Sequence, residues 1–309
     1  MVYLVTGGTG FIGAHVIKQL TERGDSAVSY DLAPNPAYLE HVVGHKNMAA
    51  VKVVQGDVID LGQLLRAGRG RGVQKVIHLA YMLGRDTEFN PTLATKVNCE
   101  GTNNVFEAAC EWGAHRVVWA SSIAVFGPRS YDAGNVVASD AAYDPTVIYG
   151  ACKVVNEVVA RRYSRSYGLE PVGLRFPVVY GPGAVRGWSS FLTRLVMDLA
   201  QGRPAQAPTG QQLSSWLHVE DIAEAVVLTT TTPRTGELAY TLSGEVKTTR
   251  EVVDMVLGYF PGSPVTFDEG YPDPGLPGHL DGYTFRRDLG WEPRFTMADG
   301  IAHMVNFYR

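Results

Sequence analysis

Short apolar runs alternate with amphipathic stretches along the first half of this chain. Val2–Val5 is a continuous apolar run and reads as a buried strand. Gly13–Arg23 follows with helical spacing. Ser26–Asp31, Val51–Val54 and Lys75–Leu79 then read as a second, third and fourth strand. Asn98–Trp112 is predicted as a helix, with Val97, Gly101, Val105 and Ala108 along one face. A fifth strand over Arg116–Ala120, a long helix over Tyr149–Tyr167 and a sixth strand over Pro171–Phe176 complete the series. Strands alternating with helices predict a parallel sheet joined by right-handed crossovers.

The pattern changes after Phe176. Val178–Gly187 and Gln201–Gln212 are rich in Gly and Pro, and Pro261–Gly282 is richer still. These read as loops, with helices expected over His218–Thr230 and Thr249–Tyr259.

One loop carries chemistry. Thr6-Gly7-Gly8-Thr9-Gly10-Phe11-Ile12-Gly13 follows the first strand directly and opens the first helix. Gly7 permits a tight turn, Gly10 lets backbone approach a pyrophosphate, and Gly13 lets helix pack closely on strand. The open N–H groups of Phe11, Ile12 and their neighbours then face the phosphates. Asp31 ends the second strand, where a carboxylate accepts both ribose hydroxyls of NAD and repels a 2′-phosphate. Leu32 and Ala33 follow it, so no arginine stands ready for that phosphate, and NAD is preferred to NADP. Asp57 and Val58, after the third strand, fall where adenine lies in such a sheet. From spacing alone Asp57 reads equally well as a helix cap before Leu61–Leu65.

The expected fold is therefore α/β: a Rossmann-type doubly wound parallel sheet with a smaller C-terminal α/β substrate unit. The NAD-binding domain is expected over 1–176, with the chain returning to it around 213–232, and the substrate-binding domain over 177–309.

Composition narrows the function. The 309 residues are 45% hydrophobic and 19% charged, ordinary globular values. A net charge of −4 disfavours a nucleic-acid or membrane-surface binder. No apolar run reaches a membrane span, and the apolar run Val2–Val5 has no basic flank, which predicts no leader peptide. Cys99, Cys110 and Cys152 are odd in number and include no C-x-x-C pair, as expected of a reduced cytoplasmic protein without a disulfide frame. His41 and His45 stand four apart but lack an H-E-x-x-H pattern and a third ligand, so no metal site is expected. Arg66, Arg69 and Arg71 read as a solvated turn.

Several segments taken together resemble the extended short-chain dehydrogenase/reductases, the NAD-dependent epimerase/dehydratase group. They are the glycine loop, Gly56-Asp57-Val58, Val76-Ile77-His78-Leu79-Ala80, Asn98-Cys99-Glu100-Gly101-Thr102 and Ser121-Ser122-Ile123-Ala124-Val125-Phe126-Gly127. Further on come Tyr149-Gly150-Ala151-Cys152-Lys153, Arg175-Phe176-Pro177 and Val179-Tyr180-Gly181-Pro182-Gly183. The resemblance covers nearly the whole chain. It implies a catalytic Tyr149, with Lys153 one helical turn on and Ser122 beyond the fifth strand; Ser121 is the other candidate for the serine. It makes Leu79 and Ala80 cofactor contacts, places Phe176 and Pro177 by the nicotinamide carboxamide and gives Asn98 a bracing role. It also implies a homodimer through the helices Asn98–Trp112 and Tyr149–Tyr167.

The i, i+4 spacing lets Tyr149 and Lys153 project into one cleft. An ammonium beside a phenol is expected to lower the phenol's pKa toward neutrality. Tyr149 would then exchange a proton with a substrate hydroxyl while Lys153 holds the nicotinamide ribose and Ser122 orients the substrate oxygen. Cys152 points elsewhere on the helix. His218 reads either as a substrate contact or as a helix-entry residue.

The chain departs from nucleotide-sugar members at identifiable points. Pro177 stands where they usually carry Asn. Ser214 and Ser215 stand where an arginine usually neutralises the substrate diphosphate. Ile123 and Ala124 replace the acid pair of the dehydratases. Arg186, Arg194 and Arg203 are candidates for the missing charge, Arg186 foremost. The first expectation is therefore an NAD-dependent dehydrogenase acting on a secondary alcohol or ketone of a small sugar-, polyol- or hydroxy-acid-like substrate. A UDP-sugar 4-epimerase with tightly held NAD stands second, and a non-catalytic NAD-binding protein third.

Overall fold

The computed structural model describes residues 1–131, 136–208, 210–211, 213–268 and 276–309. The first half alternates as its pattern dictates. β1 (Val2–Thr6) leads to α1 (Phe11–Glu22), β2 (Ser26–Asp31), α2 (Pro36–Val43), β3 (Val51–Gln55), α3 (Leu61–Gly68) and β4 (Lys75–His78). Two short helices follow, α4 (Arg85–Phe89) and α5 (Pro91–Thr95). A π-helical turn at Lys96–Glu100 then passes into α6 (Gly101–Trp112). β5 (Arg116–Ser122), α7 (Ile148–Tyr167) and β6 (Glu170–Phe176) close the series.

The second half contains β7 (Val178–Tyr180), α8 (Ser190–Ala200), β8 (Ala205–Pro208), β9 (Leu213–His218), α9 (Val219–Thr231) and β10 (Ala239–Thr241). It ends with β11 (Glu245–Thr248), α10 (Thr249–Leu257), β12 (Val265–Asp268), α11 (Tyr283–Leu289) and α12 (Met297–Tyr308).

The main sheet is parallel throughout, in the order β10-β6-β5-β4-β1-β2-β3. Its two faces are covered separately. Tyr3, Val5 and Val118 pack with Val16 and Leu20 of α1 and Ile222 and Val226 of α9. Leu4, Val28 and Val76 pack on the other face with Leu64 of α3, Phe106 of α6 and Tyr163 of α7. This is the doubly wound Rossmann arrangement, whose reversal of strand order opens a crevice at the carboxyl ends of the strands.

α9 is buried nearly all round, with Ile222, Val226 and Val227 in the core and its acidic first turn held by Lys18 on Glu220 and the Arg294 N–H on Asp221. It lies on α1, and β10 then pairs with β6, so the chain rejoins the main sheet through residue 241. The remaining segments gather around Phe191, Leu195, Trp216, Val252 and Ile301, a core shared by α8, β9, α10 and α12.

The segments expected as Gly- and Pro-rich loops hold short strands. β7 opens Val178–Gly187 and pairs with β9. β8 lies within Gln201–Gln212 and pairs with β12, which lies within Pro261–Gly282. Positions 209, 212 and 269–275 of those two loops lie outside the described residues. The helix expected from Asn98 begins one turn later as α-helix, because the π turn occupies Lys96–Glu100.

Candidate active site

The glycine loop is built so that side chains cannot fit. Gly7 has φ +71°, a left-handed conformation, and donates its N–H to the Tyr30 carbonyl at 2.9 Å. A Cβ at Gly13 would overlap the Gly7 carbonyl oxygen, so only glycine allows α1 to close on the loop. α1 has no side-chain cap and no acidic residue in its first turn. Its leading N–H groups are thus free to meet an anion, helped by the positive end of the helix dipole.

Asp31 is tied to the same loop. Its Oδ2 accepts the Thr9 N–H at 2.9 Å and the Ser29 hydroxyl at 3.0 Å. Burial pushes its carboxyl up, and the hydrogen bonds from Thr9, Ser29 and Gly8 oppose that rise. A carboxylate offers about four lone-pair positions, so it can hold the loop and still accept ribose hydroxyls. The collar of glycines and the anchored acid fit NAD.

The neighbouring positions divide. The Leu79 and Ala80 N–H groups both donate to Thr6 Oγ1, at 3.2 and 3.3 Å, which sets this backbone beside Gly7. Asp57 is not the cap of α3: its Oδ1 accepts the Ile59 N–H at 3.1 Å, while Asp60 caps the helix through the Gln63 N–H at 2.9 Å. The side chain of Val58 is buried in the core against Gly101, so only its backbone is left to meet adenine. Asn98 does brace: its amide exchanges two hydrogen bonds with the Met82 backbone, at 2.9 and 3.2 Å.

Ser122, Tyr149 and Lys153 converge at the carboxyl end of the sheet. The Ser122 hydroxyl lies within hydrogen-bonding reach of the Tyr149 phenol. Ser121 points the other way and donates to Glu157 Oε1 at 2.7 Å. In the parallel register Ser122 stands opposite Phe176, and Pro177 follows, buried. Lys153 is fully buried. Its ammonium donates to the Ala120 carbonyl at 2.5 Å, sits 2.8 Å from the Tyr81 ring centre and lies 5.2 Å from the Tyr149 ring centre.

The expected lowering of the phenol's pKa is not what this site does. Burial pushes the Tyr149 phenol well up, with the Ser122 hydroxyl pulling back. Burial also pushes the Lys153 ammonium well down. The ammonium is engaged by Ala120 and Tyr81, and desolvation outweighs its field at the phenol.

Other candidates lie apart. Arg186 is exposed on the loop after β7, and no described contact joins it to Ser122, Tyr149 or Lys153. Arg194 is exposed on α8, and Arg203 pairs with Asp198. Ser214 and Ser215 are fully buried, and Ser215 Oγ accepts the Gly244 N–H at 2.8 Å. His218 is a helix-entry residue: its Nδ1 accepts the Glu220 N–H at 3.2 Å and its ring stacks on Phe295. His45 pairs with Glu40 at 2.6 Å, and His41 meets Phe307 edge-on.

Three residues outside the sequence-based set shape the site. Tyr81 faces Lys153. Glu88 accepts the Ile148 N–H at 2.8 Å, placing a carboxylate at the start of the helix that carries Tyr149. Glu157 binds Ser121, Tyr143 and Arg175. Only Glu157 had a signal, its i+4 spacing from Lys153; Tyr81 comes from a loop and Glu88 from the five-residue helix α4, which is too short to show a periodicity.

Comparison with known proteins agrees with this geometry. Residues 3–242 match the model of the NAD dependent epimerase/dehydratase family. A UDP-glucose 4-epimerase of Azospirillum brasilense is 31% identical, over 96% of this chain and 89% of that one. The UDP-glucose 4-epimerase of Thermus thermophilus, solved with NAD, superposes with a TM-score of 0.85 at 27% identity, over 100% of this chain and 99% of that one. A dTDP-glucose 4,6-dehydratase of Streptomyces venezuelae, solved as a double mutant with NAD bound, gives a TM-score of 0.83 at 30% identity, over 100% of this chain and 97% of that one. The chain belongs to the NAD-dependent epimerase/dehydratase family of extended short-chain dehydrogenase/reductases, and NAD is its cofactor.

Proposed function

We propose that this enzyme moves hydride between NAD and the carbon of a secondary alcohol or ketone in a small polar substrate, sugar-, polyol- or hydroxy-acid-like. Bound NAD supplies the hydride acceptor or donor. Tyr149 Oη gives a proton to the carbonyl oxygen in reduction and takes one from the hydroxyl in oxidation. Ser122 donates a hydrogen bond to the same oxygen and fixes its direction. The buried Lys153 ammonium keeps positive charge near the oxygens that develop negative charge. Phe176 and Pro177 wall the cleft beside Ser122 with apolar surface that excludes water.

What supports the small-substrate reading is that Ser214 and Ser215, both buried and uncharged, stand at the sequence positions where nucleotide-sugar members of the family usually carry an arginine for the diphosphate. In the decisive experiment, NAD is offered with a panel of polyols, sugars and hydroxy acids, and NADH absorbance is followed. Turnover with one class, abolished in Tyr149→Phe, is the expected result; silence across the panel counts against it.

Nucleotide-sugar 4-epimerisation is the second reading, supported by the relatives named UDP-glucose 4-epimerase. Purification with NAD already bound and interconversion of UDP-sugars without net NADH would favour it. Calorimetry showing no UDP binding would exclude it. A non-catalytic NAD-binding role is the remaining alternative, and a Tyr149→Phe variant equal to wild type in every assay would support it.

The same reading includes a homodimer. Val155 and Val158 are exposed on α7, and Phe89 and Leu93 are exposed on the short helices that precede α6. An apolar face of this kind suits a second copy. Light scattering of Val155→Glu/Val158→Glu should then give half the wild-type mass. Among the described residues no helix is long and apolar enough to cross a membrane. The three free cysteines accord with a reducing cytoplasm.

A further inference from the structure

The Lys153 ammonium is out of contact with water, and one carbonyl oxygen, that of Ala120, accepts from it at 2.5 Å. A buried ammonium needs more than one neutral acceptor to stay charged. Its second partner is an aromatic face. The ring centre of Tyr81 lies 2.8 Å from Nζ, within the range where a cation is drawn to the ring quadrupole.

We propose that Tyr81 is a positioning residue that acts through Lys153: its ring face keeps the buried ammonium charged and fixed beside Tyr149. The proposal rests on the assignment of Tyr149 and Lys153 given above.

The ring is itself held in place. Tyr81 packs against His78, with ring centroids 4.5 Å apart at 53°. His78 is pinned at both nitrogens, by Thr6 Oγ1 at 2.7 Å and Thr102 Oγ1 at 3.1 Å. Thr102 donates its own proton to the Asn98 carbonyl, so His78 Nε2 must be the donor toward Thr102 and Nδ1 the acceptor from Thr6. A rigid chain therefore runs from β1 and α6 through His78 to Tyr81. Burial, with the Lys153 charge second, pushes the His78 pKa well down, so His78 is neutral. Burial pushes the Tyr81 phenol well up, so the attraction comes from a neutral ring and not from a phenolate.

The other groups facing Lys153 can be named. Tyr149, Cys152 and Glu157 share α7 with it, Cys99 comes from the π turn, His78 from β4, and the Trp119 ring of β5 stands 5.9 Å away. Glu157 is already neutralised by Arg175. Cys99 draws the Cys152 thiol below its ordinary pKa, so that thiol, like the Tyr149 phenol, is a group whose charge can change with pH near Lys153.

The test is a carbon-13 NMR titration of the protein labelled with 6-carbon-13 lysine, the Lys153 signal being identified by its loss in Lys153→Met. Position 81 carries Tyr, Phe, or phenylalanines with increasing ring fluorination. Fluorine weakens the ring quadrupole while leaving shape nearly unchanged. The Lys153 midpoint should fall stepwise along the series, by about one pH unit (about tenfold in protonation) at full fluorination. Tyr81→Phe should match wild type and Tyr81→Leu should match the fluorinated end, and the same order should hold in a Cys152→Ser background. Coincident midpoints across the fluorinated series would overturn the proposal, as would a Tyr81→Phe shift equal to that of Tyr81→Leu. No substrate enters the measurement, so failure of the dehydrogenase reading leaves its outcome intact.

Discussion

Glu157 and Arg175 meet at two points, Nε to Oε1 at 2.8 Å and Nη2 to Oε2 at 2.7 Å, with both side chains almost wholly buried. Ser121 adds a hydrogen bond to one carboxylate oxygen and Tyr143 to the other. Each of the strand residues in this cluster precedes a residue of the cleft: Ser121 before Ser122, Arg175 before Phe176.

Removing one member of a buried pair strands the other charge, which costs about 3–5 kcal/mol. Glu157→Ala should lose stability on that scale in urea unfolding. Burial alone would raise the Glu157 carboxyl, but Arg175, Tyr143 and Ser121 hold it below its ordinary value. The stabilisation it gives is present above the unfolded glutamate value of about 4.3 and lost as pH falls below that toward the folded value. The wild-type protein should therefore show an acid loss below about pH 4.3 that Glu157→Ala lacks.

A methyl group at Gly13 meets backbone, which cannot move aside as a flexible side chain can. Gly13→Ala should weaken NADH binding by at least about tenfold, roughly 1.4 kcal/mol, measured by NADH fluorescence titration. Asp31→Ala removes both the ribose acceptor and the anchor of Thr9. It should weaken NADH binding by a similar factor while NADPH binding weakens less. Equal losses for the two cofactors would contradict the role given to Asp31.

Burial raises the Tyr149 phenol, so near neutral pH it is almost entirely protonated. The protonated form is the acid needed for carbonyl reduction, and the ionised form is the base needed for alcohol oxidation. Oxidation rates should climb steadily from about pH 7 to about pH 10, while reduction stays flat or declines. Tyr149→Phe should lower both by about a hundredfold or more and leave NADH binding intact. An oxidation rate already level at pH 7 would count against Tyr149 as the base.

His218 is buried, and burial, with His303 second, lowers its pKa from the ordinary value to about 3. The folded protein thus keeps it neutral where the unfolded chain, near 6.5, takes up a proton. Stability should fall as pH drops from about 6.5 toward about 3, by as much as ~1.4 kcal/mol per unit for this side chain. His218→Asn retains an acceptor for the Glu220 N–H and should flatten that slope in urea midpoints at pH 7 and pH 5.

The main sheet was legible because each of its first six strands is a local apolar run, and Gly7 and Gly13 are required where the backbone turns tightly and the helix closes on it. The shorter strands were hidden. Ala205–Pro208 and Val265–Asp268 are strands only because they pair with each other across nearly sixty residues, and nothing local announces that pairing. Spacing left Asp57 open as the cap of α3, and it is the Gln63 N–H bonded to Asp60 that shows the cap lies three residues on. The i, i+4 spacing of Tyr149 and Lys153 gave their common direction. It carried no information on desolvation, and so it missed that burial sets both pKa values. Tyr81 stayed invisible because its partner is seventy-two positions away.

Because α9 fills the outer face of α1 and β10 extends the sheet beyond β6, the nucleotide-binding half cannot be cut out as a cassette. A chain ended after Phe176 would leave Ile17, Leu20 and Val118 facing water and His15 without Glu220. The segments between β6 and α9 and after β10 lie outside the main sheet and its two returning elements, so they can vary without disturbing it. Recombination within the family should therefore succeed by exchanging those segments while both returning elements stay with their parent sheet.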